Sequence, residues 1–191
     1  ETEYLYQAIA VMRRTGLRHM PVVGPGGRLT GMLNLNDTLA VASRTLMAQI
    51  DSLTQAGDVA GLARVKRAQV TLADQLFRDN LPAPEIQALL SNINLDIYRR
   101  VVDGALAAMA AEGLGPPPVD FSVIVMGSGG RGESFLFPDQ DNGFILEDYP
   151  DDRHTEIDAW FIDLGERMTQ DLDTIGLPLC KGFVMATNPL W

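Results

Sequence analysis

The sequence has few of the residues on which many small folds and sites depend. Its 191 residues include one cysteine and two histidines. This excludes a disulfide framework, a zinc finger and a Cys/His catalytic pair built from neighbouring residues. No apolar run approaches the roughly 18 residues of a membrane span, and the N-terminus shows no basic region followed by an apolar one. We therefore expect a cytoplasmic protein with no membrane partner.

The acidic residues are concentrated in the last third of the sequence. Hydrophobic residues make up 46% and charged residues 21%, a globular composition, and the net charge is −10. Residues 1–115 contain 11 acidic and 11 basic residues, whereas residues 116–191 contain 14 and 4. Such a surface repels the nucleic-acid backbone, so we expect no DNA partner. It attracts divalent cations instead.

Three parts follow one another along the chain. Residues 1–43 show the pattern helix, strand, turn, strand, helix, with GPGG at 24–27 as the turn. Residues 44–115 show only helical periodicity, interrupted at Pro82 and Pro84, and predict a helical connector or bundle. Residues 116–191 follow the helix-breaking sequence GLGPPP and predict strands at 119–126, 142–147 and 179–186, with a helix at 157–174. We therefore predict an α/β (α+β) chain, whose strand at 119–126 is buried on both faces.

The most informative segment is the glycine-rich sequence GSGGRGE at 127–133, directly after a predicted strand. Glycines allow the backbone to turn sharply and to bring its N–H groups against a phosphate. Arg131 can bind phosphate oxygens through its guanidinium. This segment therefore predicts a phosphate-binding loop.

Two aspartates follow in the sequence DQDN at 139–142. If Asp139 and Asp141 lie on the strand that continues into Phe144, their carboxylates face the same side. Converging carboxylates are what Mg²⁺ requires while it also binds a triphosphate. The two neighbouring segments together indicate chemistry on a nucleoside triphosphate.

Three other interpretations of these segments compete with this one. Gly127-x-Gly129-x-x-Gly132 matches the dinucleotide-binding fingerprint, but Pro138 arrives before a full crossover helix can form. Asp139-x-Asp141 resembles the start of an EF-hand loop, but the position that requires glycine is Phe144. A glycine turn followed by a solvated acidic loop without a ligand stays open.

The segments at 127–133 and 139–142 together resemble the signature of the DNA-polymerase-β-like nucleotidyltransferase superfamily. More closely, they resemble a bacterial family of nucleotidyltransferases related to the corresponding domain of protein-PII uridylyltransferase and located behind pairs of CBS domains. The resemblance covers residues 45–191 and implies a mixed sheet with helices.

The resemblance also implies a mechanism. Asp139 and Asp141 would be catalytic and hold Mg²⁺, while Gly127, Ser128 and Arg131 would bind the phosphates of a nucleoside triphosphate. A hydroxyl of a regulatory protein or small molecule would then accept the nucleoside monophosphate, and pyrophosphate would leave.

One departure from the superfamily pattern concerns a third carboxylate, which usually comes from a later strand. The candidate strand here, LCKGFVM at 179–185, contains none. Either the third acid lies beyond Trp191, or Asp163 or Asp171 of the acidic helix supplies it, or catalysis is weak or absent. In that last case the alternative is a catalytically inactive nucleotide-binding signalling module.

Cys180 in this segment is interpreted as a small buried hydrophobe.

Residues 1–43 resemble most of one CBS motif, carried by GLRHMPVV at 16–23 and GMLNLND at 31–37. CBS clefts usually bind adenine nucleotides. The resemblance implies that Asp37 binds ribose hydroxyls, that Asn34 lies near the phosphates, and that the bound nucleotide regulates the transferase. Because CBS modules associate in pairs, it also implies a homodimer.

Overall fold

The computed structural model describes residues 5–35, 38, 58–78 and 81–189. Over these ranges the elements are, in chain order, α1 (Leu5–Arg14), β1 (His19–Val23), β2 (Leu29–Asn34), α2 (Val59–Arg78), α3 (Ala83–Ala111), β3 (Phe121–Val125), the single-turn α4 (Gly127–Gly130), β4 (Asn142–Leu146), a 3₁₀ turn (Asp151–Arg153) and α5 (His154–Ile175). This combination of helices and antiparallel strands confirms the predicted α+β class. None of the described helices is long and apolar enough to cross a bilayer.

The N-terminal elements form a hairpin preceded by a helix. Strands β1 and β2 pair in antiparallel orientation, with His19 opposite Asn34. At the turn, the N–H of Gly24 donates to the carbonyl of Arg28 at 2.9 Å. This confirms the predicted order of helix, strand, turn and strand. The helix predicted to follow Asp37 lies almost entirely outside the described residues.

Helix α3 is the longest element, with 29 residues. Pro82 is its N-cap and Pro84 lies in its first turn, where a missing N–H costs no intrahelical hydrogen bond. Its buried apolar residues recur at spacings of three and four, as a helix that covers a core requires. They include Ile86, Leu90, Ile93, Ile97 and Val101. The helix packs against both α2 and α5.

Strands β3 and β4 form an antiparallel pair with Val125 opposite Asn142. Phe121 on β3 and Phe144 on β4 both contact Phe161 on α5, with ring centroids 5.2 Å and 5.7 Å apart. The expectation that β3 is buried on both faces was wrong: Ser122 and its partner Ile145 are exposed. An antiparallel pair can leave one face to solvent, whereas the prediction assumed a sheet covered on both sides.

The apolar core joins residues from both sides of the segment 113–118. One buried cluster includes Val65 on α2, Ile97 on α3 and Leu172 on α5, and Val123 and Phe144 of the sheet pack against it. The division into 1–43, 44–115 and 116–191 stays a prediction. What the structure shows is that α2, α3 and α5 share one core with the sheet.

The strand predicted at 179–186 was wrong. Only Leu179 forms a bridge, parallel to Gln140. Phe183 then adopts a positive φ of 57°, and its N–H donates to the carbonyl of Cys180 at 3.0 Å. A left-handed residue inside a tight turn is incompatible with an extended strand. Of the apolar residues in this segment, Cys180 and Met185 are buried, whereas Leu179 and Phe183 are exposed.

Candidate functional site

The glycine-rich turn α4 lies directly against the carboxylate of Asp141. Gly127 has a φ of +57°, a left-handed conformation that favours glycine. A Cβ added there would overlap Oδ2 of Asp141 and lie 3.1 Å from its Cγ. Position 127 therefore favours glycine through its backbone angle, and a side chain there would displace the Asp141 carboxylate.

The strand pair holds the turn and the aspartates together. Beyond the last pair of the β3–β4 register, the N–H of Met126 donates to the carbonyl of Asp141 at 2.8 Å. The chain then turns so tightly that a Cβ on Gly130 would lie 2.5 Å from the carbonyl oxygen of Val125. The loop and the acidic segment are thus adjacent because they extend the same sheet.

Asp139 and Asp141 flank a residue that anchors their segment to the protein. The Gln140 side chain is fully buried, and its Nε2 donates to the carbonyls of Leu177 at 2.8 Å and Thr169 at 3.1 Å. Because alternate residues of an extended segment point in opposite directions, the inward Gln140 leaves both aspartates on the other side. The convergence predicted from the sequence is therefore present, although both residues precede β4 rather than lying on it.

The two carboxylates and the thiol of Cys180 form one cluster. A carboxylate oxygen from each aspartate and the Cys180 Sγ all lie within 4.8 Å of one another. Within the described ranges, neither carboxylate has a hydrogen bond or an ion pair. Two neighbouring negative charges without a cationic partner repel each other unless a cation binds between them. The arrangement is a possible acidic metal-binding cluster.

The candidates for a third carboxylate do not join this cluster. Asp163 accepts a hydrogen bond from Arg167 Nε at 2.8 Å, and Arg167 also binds Glu112. Asp171 is half-buried on α5, and burial raises its pKa. In the part of the chain that the structure describes, the third ligand atom of the cluster is the Cys180 sulfur. Sequence reasoning missed this residue, because an isolated cysteine in an apolar run carries no signal for metal binding.

Helix α3 contributes Tyr98 to the floor of the site. Asn142 Nδ2 donates to the Tyr98 hydroxyl at 3.4 Å, and Asn142 Oδ1 accepts the N–H of Ala186 at 3.0 Å. Burial raises the pKa of Tyr98 to about 12; the hydrogen bond from Asn142 lowers it, and the negative charges of Asp141 and Asp139 raise it further. Tyr98 therefore stays neutral and fixes the residue that follows Asp141.

Of the predicted phosphate-binding residues, Arg131 is exposed, whereas Gly127 and Ser128 are half-buried. Arg131 Nε donates to Glu133 Oε2 at 2.8 Å, and both side chains are largely exposed. The carbonyl of Ser128 accepts the N–H of Glu133 at 2.8 Å. The N–H groups of Ser128 and Gly129 have no backbone acceptor among the described residues. Two N–H donors are therefore available to an anion at this turn, beside a guanidinium that is paired with Glu133.

An open groove adjoins the turn and has a volume of about 570 Å³, within the range of small-molecule sites. Tyr98 and Arg99 of α3, Val125 of β3, and Gly129 and Gly130 of the turn are among its lining residues. The groove therefore shares Tyr98 and the glycines with the site described above.

The proposed adenine-nucleotide residues lie in the N-terminal part. Asn34 ends β2 and is half-buried. Asp37 lies outside the described residues, so the site predicted from these two positions stays a prediction.

Comparison with known proteins gave one informative result. Neither the curated proteins nor the solved structures include a significant match to this sequence. A family model matches residues 67–191, which include the glycine-rich turn, both aspartates and Cys180. The chain therefore belongs to the family that this model describes, Putative nucleotidyltransferase DUF294.

Proposed function

We propose that this protein is a Mg²⁺-dependent nucleotidyltransferase that transfers a nucleoside monophosphate from a triphosphate to a hydroxyl of a protein or small molecule. The observation that carries the proposal is a pair of carboxylates beside a tight glycine turn. Asp139 and Asp141 converge there, and no described residue gives either of them a cationic partner. Family membership supports nucleotidyl transfer as the reaction. The local geometry supports Asp139 and Asp141 as the residues that bind the cation.

The donor set fits a divalent cation. Carboxylate oxygens are the ligands that Mg²⁺ prefers, and Mg²⁺ usually binds through one or two carboxylates together with substrate phosphates. Asp139 and Asp141 would hold the ion, which neutralises phosphate charge and orients the α-phosphorus when it is bound.

The residues of the turn would bind the remaining phosphates. The free N–H groups of Ser128 and Gly129 can donate to phosphate oxygens, and Gly127 keeps this backbone within reach of Asp141. Arg131 can exchange its ion pair with Glu133 for a phosphate, because exposed pairs contribute only about 0–1 kcal/mol. The acceptor oxygen then forms a bond to the α-phosphorus, the bond to the β-phosphate oxygen breaks, and pyrophosphate leaves with the hydroxyl proton released to solvent.

A second candidate is a nucleotide-binding signalling module without catalysis. The specific observation in its favour is that the cluster contains no third carboxylate within the described residues.

In either case we propose that the CBS-like residues 1–43 bind an adenine nucleotide through Asn34 and Asp37, and that this binding regulates the site.

The test uses α-labelled ATP, UTP, CTP and GTP with Mg²⁺ and measures label transfer, pyrophosphate release and nucleotide binding. The D139N/D141N double variant should lose transfer. As a matched control, D120N/D173N removes two exposed carboxylates outside the cluster and should keep it. Binding without transfer would support the signalling module, and the absence of Mg²⁺-dependent nucleotide binding would refute both.

A further inference from the structure

The loop that carries Cys180 is fixed against the aspartates by backbone contacts. The N–H of Gln140 donates to the carbonyl of Pro178 at 2.9 Å, and Gln140 bridges Leu179. Because Gln140 lies between the two aspartates, the residue after Leu179 is necessarily beside them. The position of the sulfur thus follows from the same anchor that positions both carboxylates.

The turn after Cys180 fixes the backbone of this residue and brings Gly182 close to its sulfur. The carbonyl of Cys180 accepts the N–H of Phe183 at 3.0 Å, and a Cβ on Gly182 would lie 3.6 Å from the sulfur. Cys180 is only 9% exposed, so most of its side chain is buried in the protein.

Two carboxylate oxygens and one sulfur suit a thiophilic divalent cation better than they suit Mg²⁺. Around a tetrahedral Zn²⁺, with bonds of about 2.3 Å to sulfur and 2.1 Å to oxygen, ligand atoms lie about 3.5 Å apart. The three atoms of this cluster lie within 4.8 Å of one another, so each pair needs to approach by at most about 1.3 Å to reach that spacing. Sulfur selects Zn²⁺ and similar ions over Mg²⁺.

We propose that Cys180 supplies a sulfur ligand to a thiophilic divalent cation of the Zn²⁺ class, which binds with Asp139 and Asp141 and competes with Mg²⁺ at the site. The proposal rests on the proposed function in that it uses the same two carboxylates. When the sulfur–metal bond forms, the thiol proton is released to solvent. Zn²⁺ therefore inhibits Mg²⁺-dependent transfer by occupying its ligands.

The first test uses Co²⁺ as a spectroscopic probe of the whole chain. Co²⁺ should produce a near-ultraviolet sulfur-to-metal charge-transfer band in the wild-type protein, and competing Zn²⁺ should remove it. The band should be absent in C180S and C180A, and Zn²⁺ affinity should fall by at least about 10-fold, since losing even a group that only supports a metal ligand costs that much. Bound Co²⁺ without the band would overturn the proposal.

The second test leaves the cysteine in place. Cys180 is the single cysteine of the chain, so the rate of modification by a thiol-specific reagent reports on it alone. Zn²⁺ should slow the modification of the wild-type protein and of D120N/D173N but not of D139N/D141N. Equal rates with and without Zn²⁺ in the wild type would refute the proposal.

The two proposals fail separately. Mg²⁺-dependent transfer that Zn²⁺ does not inhibit, with no charge-transfer band, would reject the sulfur ligand and keep the transferase. A charge-transfer band without any transfer would reject the transferase and keep the metal site.

Discussion

Replacement of Gly127 by alanine tests the central geometry of the site. Two costs follow from the structure. A left-handed backbone at φ +57° costs an alanine about 1 kcal/mol. In addition, the new Cβ would overlap Asp141 Oδ2, so this oxygen must move by at least about 1.3 Å to reach the 3.4 Å of ordinary contact. A misplacement of that size can cost about 100-fold in rate, or about 2.7 kcal/mol.

Gly132 provides the matched control for this substitution. Its φ is +70°, but a Cβ there would meet no atom within 4 Å. Gly132→Ala therefore introduces the same backbone strain in the same loop without touching a carboxylate. The difference between the two variants isolates the displacement of Asp141.

The assay combines chemical denaturation with calorimetric titration of Mg²⁺ or Mn²⁺ and with the transfer reaction. Both variants should lose about 1 kcal/mol of unfolding free energy. Only G127A should lose cation affinity, by about 10-fold or more, together with transfer. If G127A and G132A bound the cation equally well, the carboxylate would have no functional relation to the turn and the reasoning would be refuted.

Two further predictions concern buried polar groups near the site. Lys66 is buried, its Nζ donates to Gln69 Oε1 at 2.9 Å and to Asn94 Oδ1 at 3.0 Å, and burial lowers its pKa from 10.5 to about 8. At pH values between about 8 and 10.5, the unfolded chain therefore binds more protons than the folded protein. The unfolding free energy should rise with pH in this range, by about 2 kcal/mol from pH 7 to 9.5. Urea unfolding checks this, and a K66M variant that rises equally would contradict it. Gln140→Leu removes the side-chain donor of the buried Leu177 carbonyl and of the part-buried Thr169 carbonyl, and should cost about 1–3 kcal/mol with loss of cation binding. The exposed Gln170→Leu should do neither, and a stable, cation-binding Q140L would show that Gln140 is not the anchor.

The described helices and the strands of both antiparallel pairs were predictable because their sequence signals are local. The spacing of the apolar residues in α3 and the prolines at 82 and 84 indicated where that helix begins. The convergence of the two aspartates was predictable because they are two residues apart in an extended segment, whereas their roles and those of the glycines stay predictions. Such a spacing is visible in the sequence before any tertiary contact is known.

The role of Cys180 was not predictable, because it depends on contacts between distant parts of the chain. The residue lies about 40 positions after Asp139 and reaches it only through the pairing of Gln140 with Leu179. The same apolar run predicted a strand, since nothing in its composition indicated that Phe183 takes a left-handed conformation. Tyr98 was likewise missed, because only the packing of α3 on the sheet brings it to Asn142.

The shared core has a practical consequence for dissecting this protein. A fragment starting at Pro116 would contain the whole glycine turn, both aspartates and the cysteine. It would nevertheless lack the apolar residues of α2 and α3 that cover Met168 and Leu172, and Asn142 would lose its tyrosine partner. The smallest piece worth expressing therefore begins ahead of α2, even though the residues proposed for the chemistry all lie beyond position 126.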